Sequence, residues 1–225
     1  MQIRLAEESD NDQIQALSKR CHQEGVITFF VNRSPRFNTL HRLLDPDSWH
    51  YVVEDDGIIV GQVGVIHFQA TMLGVSRKFA YMMDLRLDDE YRKGLTAFRM
   101  VKKAIDRVLA SDTDFVVGNF LKSNQNSLVF ASGRAGIPEA FHLGDNRIFN
   151  MLPLFKLKTD PHFAIEHPTR EDLPELAKIY RSYADNFRIA PVVDEPTLSG
   201  YLDALDNLSL NNFLIARENG RIRAV

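Results

Sequence analysis

The sequence has almost no cysteine and no long apolar run. Cys21 is the only cysteine among 225 residues, which excludes an intramolecular disulfide framework and fits a reducing compartment. No stretch approaches the roughly 20 apolar residues of a membrane-spanning helix. The N-terminus, MQIRLAEESDND, carries acidic residues where a signal peptide needs an apolar core. These absences predict a cytoplasmic protein that does not enter a membrane.

Several chemical motifs are also missing. The seven histidines show no H-E-x-x-H spacing, and a single cysteine gives no zinc framework, so no metal is predicted. Neither a G-x-x-x-x-G-K-[ST] loop nor a G-x-S-x-G elbow is present. A net charge of −3 and a pI near 6.2 provide no attraction of the whole molecule for nucleic acid or anionic membranes.

What the chain does have is a repeat of its own opening. IRLAEESDNDQIQAL, from Ile3, aligns with IEHPTREDLPELAKI, from Ile165, and each reads as a strand, a polar turn and an amphipathic helix. YVVEDDGII, from Tyr51, resembles FLIARENGRI, from Phe213, and both contain an Asp-Gly or Asn-Gly pair typical of a type I′ hairpin. The spacing is a domain length rather than a solenoid period. We therefore predict one complete domain over residues 1–158 and an incomplete second copy over 159–225, with chance similarity as the alternative.

Hydrophobic periodicity predicts the element order β α α β β β α β α β, with the helices packed against one sheet. The predicted strands are Ile3–Leu5, His50–Val53, Ile58–Phe68, Phe79–Leu87, Asp114–Phe120 and Arg147–Phe155. Four helices are predicted. The first is capped by Asp10 or Asn11 and ends at about Gln23, and the second starts at Ser34-Pro35 with an apolar stripe of Phe37, Leu40, Leu43 and Leu44. The third and fourth cover Leu95–Leu109 and Ser127–Arg134. Strict alternation on Phe79–Leu87 would place Met82, Asp84 and Arg86 on one face.

This element order and the segment MDLRLDDEYRKGLTAFRM resemble the GNAT superfamily of N-acetyltransferases. The family signature is a strand L-x-V-x-P-x-Y-R, a turn R-G-x-G-I-G and a helix. The matching positions are Leu85, Leu87, Tyr91, Arg92, Gly94 and Leu95. The turn is one residue shorter than the signature, Thr96 stands where a glycine is expected, and Asp89 replaces the proline. The resemblance implies the α/β fold of this family, in which helices pack on a mixed (α+β) sheet. The two central strands of that sheet are splayed apart.

The resemblance also implies acetyl-CoA (coenzyme A) as the cofactor. The first N–H groups of a helix lack intrahelical partners and carry partial positive charge, so they suit an anion. The implied diphosphate site is formed by Arg92, Lys93, Gly94, Leu95 and Thr96. The implied pantetheine site lies along Leu85 and Leu87, with Asn124 as a further hydrogen-bonding candidate. A solvated helix start for Arg92 and Lys93, and simple N-capping for Asn124, are the alternatives.

Acetyl transfer to an amine needs a base for the amine and an acid for the departing thiolate. Asp84 and Glu54 are the candidate bases, although a salt bridge to Arg86 or a nearby lysine is the favoured role of Asp84. The tyrosine that serves as the acid in many members of the family would fall at Ala131 or Ser132. Ser132 is the nearest hydroxyl there. Phe29, Phe30 and Phe37 either line an acceptor pocket or belong to the core.

The resemblance therefore implies an N-acetyltransferase that moves an acetyl group from acetyl-CoA to a primary amine of a small molecule or peptide. The alternative is a non-catalytic GNAT-like domain with a regulatory or structural role in a tandem-domain protein. Arg99, Lys103 and Arg107 line one face of a predicted helix, where a solvated face is a better account than nucleic-acid binding. The predicted partners are acetyl-CoA and an amine acceptor, and a homodimer is left open.

Overall fold

The computed structural model describes residues 1–21, 32–92, 94–122, 124–145, 160–205 and 208–225. They form two compact units, Met1–Phe141 and His142–Val225. The domain boundary predicted at residue 158 and the predicted strand Arg147–Phe155 lie outside the described residues.

The N-terminal unit is a mixed sheet with helices on both faces. Its elements are β1 (Gln2–Leu5), α1 (Asn11–Arg20), α2 (Thr39–Leu44), β2 (Trp49–Asp55), β3 (Ile58–Met72), β4 (Val75–Leu87), α3 (Thr96–Leu109), β5 (Phe115–Gly118) and α4 (Gln125–Leu128). The strands lie in the order β1-β2-β3-β4-β5. The pairs from β1 to β4 are antiparallel, and β5 runs parallel to β4. The predicted α/β class with a mixed sheet is confirmed.

Each face of this sheet is covered by a helix. On one face, α3 packs Met100, Ala104 and Val108 against strand residues that include Val53. On the other face, α1 belongs to the cluster that contains Val52. Successive strand side chains point to opposite faces, so neighbouring valines of β2 enter different clusters. Burial of these apolar side chains on both faces is the main stabilising contribution to the unit.

A β-bulge interrupts β4 at Asp84, whose φ is +52°. Gly64 of β3 pairs with Met83, but Gln62 pairs with Arg86, so β4 has one extra residue between these pairs. Met82 and Leu85 consequently both pack against the clusters that α3 contributes to. The prediction of strict alternation along β4 was wrong, because the extra residue shifts every later side chain to the opposite face.

The second helix also differs from its prediction. α2 begins at Thr39 rather than at Ser34-Pro35, and its fully buried residue is His41 rather than a leucine. Leu40, Leu43 and Leu44 are half-buried, whereas Phe37, which precedes the helix, is in the core. His41 is drawn inward because its ring hydrogen-bonds to Asp84 on the sheet. The predicted apolar stripe therefore does not form.

The helix predicted over Ser127–Arg134 is a single turn, α4, followed by a short 3-10 turn, Val129–Ala131. Ala135 and the glycines at positions 133 and 136 have positive φ values. This backbone conformation is incompatible with continuing a right-handed helix.

The C-terminal unit has its own small sheet. Its elements are β6 (Ala164–Glu166), α5 (Leu173–Ala184), β7 (Ile189–Pro191), α6 (Glu195–Ala204), β8 (Ile215–Glu218) and β9 (Arg221–Ala224). The antiparallel order β6-β8-β9 places Ile215 and Ile222 against Leu173 and Leu176 of α5. Across the described part of the whole chain, no helix combines the length and apolarity needed to cross a bilayer.

Candidate functional site

The strands β4 and β5 are paired for only part of their length. The pairing runs from Phe79 with Phe115 to Met82 with Gly118. Beyond it, β4 continues from Met83 to Leu87 with no β5 residue opposite. The bulge at Asp84 lies at the start of this unpaired segment, where it bends the strand. The predicted splayed pair is present, and it leaves backbone groups of β4 available in the gap.

The turn after β4 leads to an open helix N-terminus. Gly94 has φ +110°, and a Cβ atom at this position would meet no other atom within 4 Å. Among the residues that the structure describes, no side chain caps α3, and the N-cap residue Leu95 is exposed. The N–H groups of the first turn therefore have no capping side chain, and the helix dipole adds partial positive charge. This corner has the space and the donors that a diphosphate requires.

Two side chains of the turn have internal roles. Arg92 donates from Nε to the Leu87 carbonyl at 3.0 Å and pairs with Asp89 at 2.9 Å. Its guanidinium therefore closes the turn, with Asp89 standing where the family has proline. Thr96 is buried, and its Oγ1 contacts Met1 Sδ at 3.6 Å, so it is held against the N-terminus. Lys93 lies outside the described residues.

Asp84, the first candidate base, is held by two partners. Its Oδ2 accepts hydrogen bonds from Arg33 at 2.9 Å and from Nε2 of His41 at 3.1 Å. Burial alone would raise the pKa of Asp84, but the His41 hydrogen bond and the Arg33 charge together outweigh burial and hold the pKa below its usual range. The carboxylate is therefore ionised. The expected salt bridge is present, although it joins Asp84 to Arg33 rather than to Arg86 or a lysine.

Glu54, the second candidate base, is not near Asp84. Its carboxylate pairs with Nε of Arg4 at 2.6 Å. Asp84 bonds to His41, which stacks on His50 of β2. Glu54 lies on the same strand, four residues after His50, so these two residues are about 13 Å apart at the rise of an extended strand. The structure therefore does not bring the two predicted carboxylates together.

The hydroxyl of Ser132, the predicted general acid, also has a partner within its own turn. Ser132 is exposed, and its hydroxyl donates to the Val129 carbonyl at 2.7 Å. The aromatic ring in this region is Phe130, which packs on Phe98 with ring centroids 4.9 Å apart. Asn124 accepts the Ser127 N–H at 3.2 Å, so it acts as the N-cap of α4.

A phenol that sequence reasoning missed lies beside the strand gap. Tyr81 pairs with Val117, one position before the last β4–β5 pair. Its hydroxyl accepts a hydrogen bond of 3.3 Å from Nδ2 of Asn119, the residue that follows β5. Only the register of the two strands reveals this placement, since nothing in the local sequence of Tyr81 marks it.

Two histidines were missed as well. His41 and His50 stack with ring centroids 5.5 Å apart. Burial lowers the pKa of His50 to about 4, His41 adds to the shift, and neighbouring groups that include Gln62 oppose it. Gln62 is a polar neighbour of this ring, but among the described residues neither ring nitrogen of His50 has a well-aligned hydrogen-bond partner. No spacing rule could pair these histidines, because α2 carries one and β2 the other.

A cavity of about 250 Å³ lies beside the two histidines. Its lining includes Phe37, His41, Trp49 and His50. Phe37 is thus both a core residue and part of a cavity wall, whereas the other two predicted aromatics, at positions 29 and 30, lie outside the described residues.

The three basic side chains of α3 are exposed, and two of them also contact groups of the sheet. Lys103 donates to the Ile3 carbonyl at 2.6 Å and lies 5.2 Å from the Tyr51 ring centroid. Arg107 lies 4.9 Å from the ring centroid of Trp49. These cation–π contacts give two of the three predicted surface cations a packing role.

Comparisons with known proteins agree with this geometry. A family model described as an acetyltransferase (GNAT) domain matches residues 2–119. No curated protein matches the chain. N-myristoyltransferase from Saccharomyces cerevisiae, solved with bound myristoyl-CoA, is 14% identical with a TM-score of 0.62, over 98% of this chain and 55% of that chain.

Two smaller solved structures are also similar. A mutant of protein BH1408 from Bacillus halodurans is 18% identical with a TM-score of 0.52, over 68% of this chain and 100% of that chain. A transcriptional regulator from Bacillus halodurans C-125 is 18% identical with a TM-score of 0.50, over 66% of this chain and 99% of that chain. At these identities the likeness shows a shared fold.

Proposed function

The chain belongs to the GNAT family of acetyltransferases, and from this premise we propose that it transfers an acetyl group from acetyl-CoA to a primary amine of a small molecule or peptide. The main support is the combination of two features at one edge of the sheet. The pairing of β4 and β5 ends at Met82 and Gly118, and the turn after β4 opens on an uncapped helix.

The cofactor fits the residues of this edge. The backbone of Gly94, Leu95 and Thr96 would hold the diphosphate, with charge from Lys93 and Arg92. The unpaired part of β4, at Leu85 above all, would hold the pantetheine arm; the Leu87 carbonyl already accepts from Arg92. When bound, acetyl-CoA supplies an activated acetyl thioester.

Two side chains of this chain would act on the acceptor amine and on the leaving group. His41 presents the proton on Nε2 to Asp84, and with Arg33 it holds the pKa of that carboxylate below its usual range, so Asp84 would accept a hydrogen bond from the amine and position it rather than act as a strong base. Tyr81, near the end of the paired part of β4, has a hydroxyl that accepts a hydrogen bond from Asn119 and would itself be the proton donor for the leaving group. Glu54 and Ser132 are not part of this proposal, because their hydrogen bonds engage them elsewhere.

Calorimetric titration of the whole chain with acetyl-CoA tests the proposal. We expect saturable binding that Gly94→Trp abolishes, because the indole would fill the open corner. Gly74→Trp is the matched control: Gly74 also has positive φ and open space around it, but it lies in the β3–β4 turn. Absence of heat at millimolar acetyl-CoA, in protein shown to be folded, would contradict the proposal.

The alternative is a non-catalytic domain of a tandem protein. It is supported by the internal partners of Arg92, Asp84 and Ser132, which leave none of these predicted site residues free. A folded chain that neither binds acetyl-CoA nor acetylates any amine would favour this alternative.

We also propose that the C-terminal unit is a partial second copy of the N-terminal one. One support is the equivalence of the hairpin turns. Asp56 and Gly57 have φ values of 48° and 79°, and Asn219 and Gly220 have 48° and 76°. Both pairs have the left-handed conformations of a type I′ turn.

A further inference from the structure

Six polar side chains form a continuous group on the face of the sheet that carries α1 and α2. We call it the bulge cluster; its members are Arg33, His41, His50, Gln62, Asp84 and Arg86. Asp84 bonds to Arg33 and His41, and His41 stacks on His50. Gln62 lies directly opposite Arg86 on the neighbouring strand, where side chains share a face.

The bulge cluster contains every buried side-chain polar atom that lacks a partner within the described residues. These atoms are Nε of Arg33, both ring nitrogens of His50, Oε1 of Gln62 and Nε of Arg86. His50, Gln62 and Arg86 are each more than nine-tenths buried. Buried polar groups without hydrogen bonds are uncommon and unfavourable, so their concentration at one place requires an explanation.

The unpaired atoms include more donors than acceptors. Both arginine Nε atoms carry a hydrogen, and neutral His50 offers one donor and one acceptor. Gln62 Oε1 is the remaining acceptor, since its amide nitrogen donates to Ser18. A ligand that satisfies this set must accept several hydrogen bonds and donate one or two.

The charges of the bulge cluster do not cancel. Asp84 is ionised and paired with Arg33, whereas His50 is neutral at physiological pH because burial lowers its pKa to about 4. Arg86 donates to the Cys21 carbonyl at the end of α1, and within the described residues no carboxylate pairs with it. An arginine stays charged in proteins, so the six side chains of the bulge cluster together carry one net positive charge.

The position of the bulge cluster connects it to the strand gap. Asp84 and Arg86 both lie on the part of β4 that has no β5 partner. They are two residues apart on β4, and Arg33 is bonded to Asp84 directly. An amine at Asp84 and an anion at the arginines would therefore belong to one small molecule or to one end of a peptide.

We propose that the bulge cluster is the acceptor subsite and that it selects an amine that also carries an anion, either a carboxylate or a phosphate. This inference rests on the proposed acetyl transfer and names the class of acceptor. The anion would accept hydrogen bonds from the arginine Nε atoms and offset the surplus charge. The amine would donate to Asp84 and Gln62.

Binding without acetyl-CoA tests the acceptor class. The whole chain is titrated with three sets of probes: the standard L-amino acids, their C-terminal amides, and O-phosphoethanolamine. We expect at least one anionic amine to bind, and we expect an amino acid amide, which keeps the amine but lacks the carboxylate, to bind at least about tenfold more weakly than its amino acid. The first and third sets distinguish a carboxylate from a phosphate. Equal binding of the amides, or no binding by any anionic amine, would overturn the inference.

Variants assign the binding to the bulge cluster. Arg33→Gln and Arg33→Lys should each weaken the best probe about tenfold, since lysine keeps the charge but lacks the Nε donor. Arg36→Gln is the matched control on the same loop: Arg36 is exposed and lies 4.0 Å from Glu8. Unchanged affinity in a folded Arg33→Lys protein would count against the subsite. Binding of acetyl-CoA without binding of anionic amines would refute this inference alone, and the reverse would refute the proposed function alone.

Discussion

The openings of the two units use the same local structures at different positions in the chain. In the N-terminal unit, Glu7 and Asp10 form a capping box around a 3-10 turn that leads into α1. In the C-terminal unit, Thr169 and Asp172 form the same box before α5. Each box satisfies backbone N–H groups that the helix start leaves free. The local sequence signal for this device is the acidic residue three positions after the cap.

Each unit also contains an arginine that joins this aspartate to a glutamate on a neighbouring strand. The two trios are Arg4 with Asp10 and Glu54, and Arg217 with Asp172 and Glu166. In the N-terminal unit the arginine lies on β1, and in the C-terminal unit it lies on β8. The strand register places the two pairs at equivalent positions with reversed charges. Each unit therefore has the same pair of charges, with the signs exchanged between the two strands.

In the N-terminal unit the hairpin is followed by β4, α3 and β5, which form the strand gap and the open turn. The features that fit a cofactor therefore lie after the segment that resembles the C-terminal unit.

The reversed charges give the largest expected effect. Arg4→Glu would place three carboxylates together and leave Asp10, which is buried, without its partner. We expect a loss of about 4 kcal/mol in the free energy of unfolding. Adding Glu54→Arg should restore most of it, because the double variant reproduces the arrangement of the C-terminal unit. Urea unfolding followed by the fluorescence of Trp49, the single tryptophan, measures both.

A double variant that is no more stable than Arg4→Glu alone would contradict the equivalence of the two pairs. Folding of both proteins at neutral pH is checked first by circular dichroism.

The next largest effect is a difference between the two units in how acid changes their stability. Burial holds the pKa of His50 at about 4 in the folded state, against an ordinary value of 6.5 in the unfolded chain. The unfolded chain therefore binds a proton first, so stability is complete above pH 6.5 and is lost as the pH falls toward 4. We expect a loss of about 3 kcal/mol over that interval. Urea unfolding at about pH 7 and about pH 4.5, again with Trp49, measures it.

His50→Phe should remove this pH dependence, since the ring then has no proton to gain. The described histidines of the C-terminal unit are exposed, so amide exchange in that unit should not show the loss. A His50→Phe protein with the original acid sensitivity would assign the effect to another group.

A smaller difference in stability should come from the hydrogen bonds that join the first helix of each unit to the hairpin of the same unit. Gln13 accepts the Ile59 N–H at 2.9 Å and donates to the Gly57 carbonyl at 3.2 Å. Glu175 makes one such bond, to the Ile222 N–H at 3.2 Å. At about 1 kcal/mol for each hydrogen bond, Gln13→Ala should cost about 2 and Glu175→Ala about 1 kcal/mol. Amide hydrogen exchange in each unit measures the two losses of stability. Equal losses in the two variants would show that the number of hydrogen bonds is not the cause of the difference.

The smallest effect should be the same in both units. Gly57→Ala and Gly220→Ala would each place a Cβ at positive φ, where the side chain meets no atom within 4 Å. Backbone strain alone should cost about 1 kcal/mol at each site. Gly200→Ala, in α6 and also with open space, is the control and should be stabilising because alanine favours a helix. Markedly unequal losses at the two turns would show that the hairpins are not equivalent.

Much of the fold could be predicted because its signals are local. The 3.6-residue period of α3, the Asp-Gly turn between β2 and β3, and the turn at Gly94 are each contained in a short stretch of sequence. α2 and the bulge at Asp84 could not be predicted in the same way. Their form depends on the hydrogen bond between His41 and Asp84, which are 43 residues apart.

The sequence by itself determined the family, the element order and the position of the strand–turn–helix edge, because periodicity and turn chemistry act between near neighbours. The tertiary structure alone decided which polar groups meet. Asp84 became the centre of a buried cluster rather than a free base, since Arg33 and His41 reach it from distant parts of the chain. Tyr81 came to lie at the strand gap through the register of β4 and β5. Contacts of this kind depend on packing and strand pairing, which no local pattern encodes.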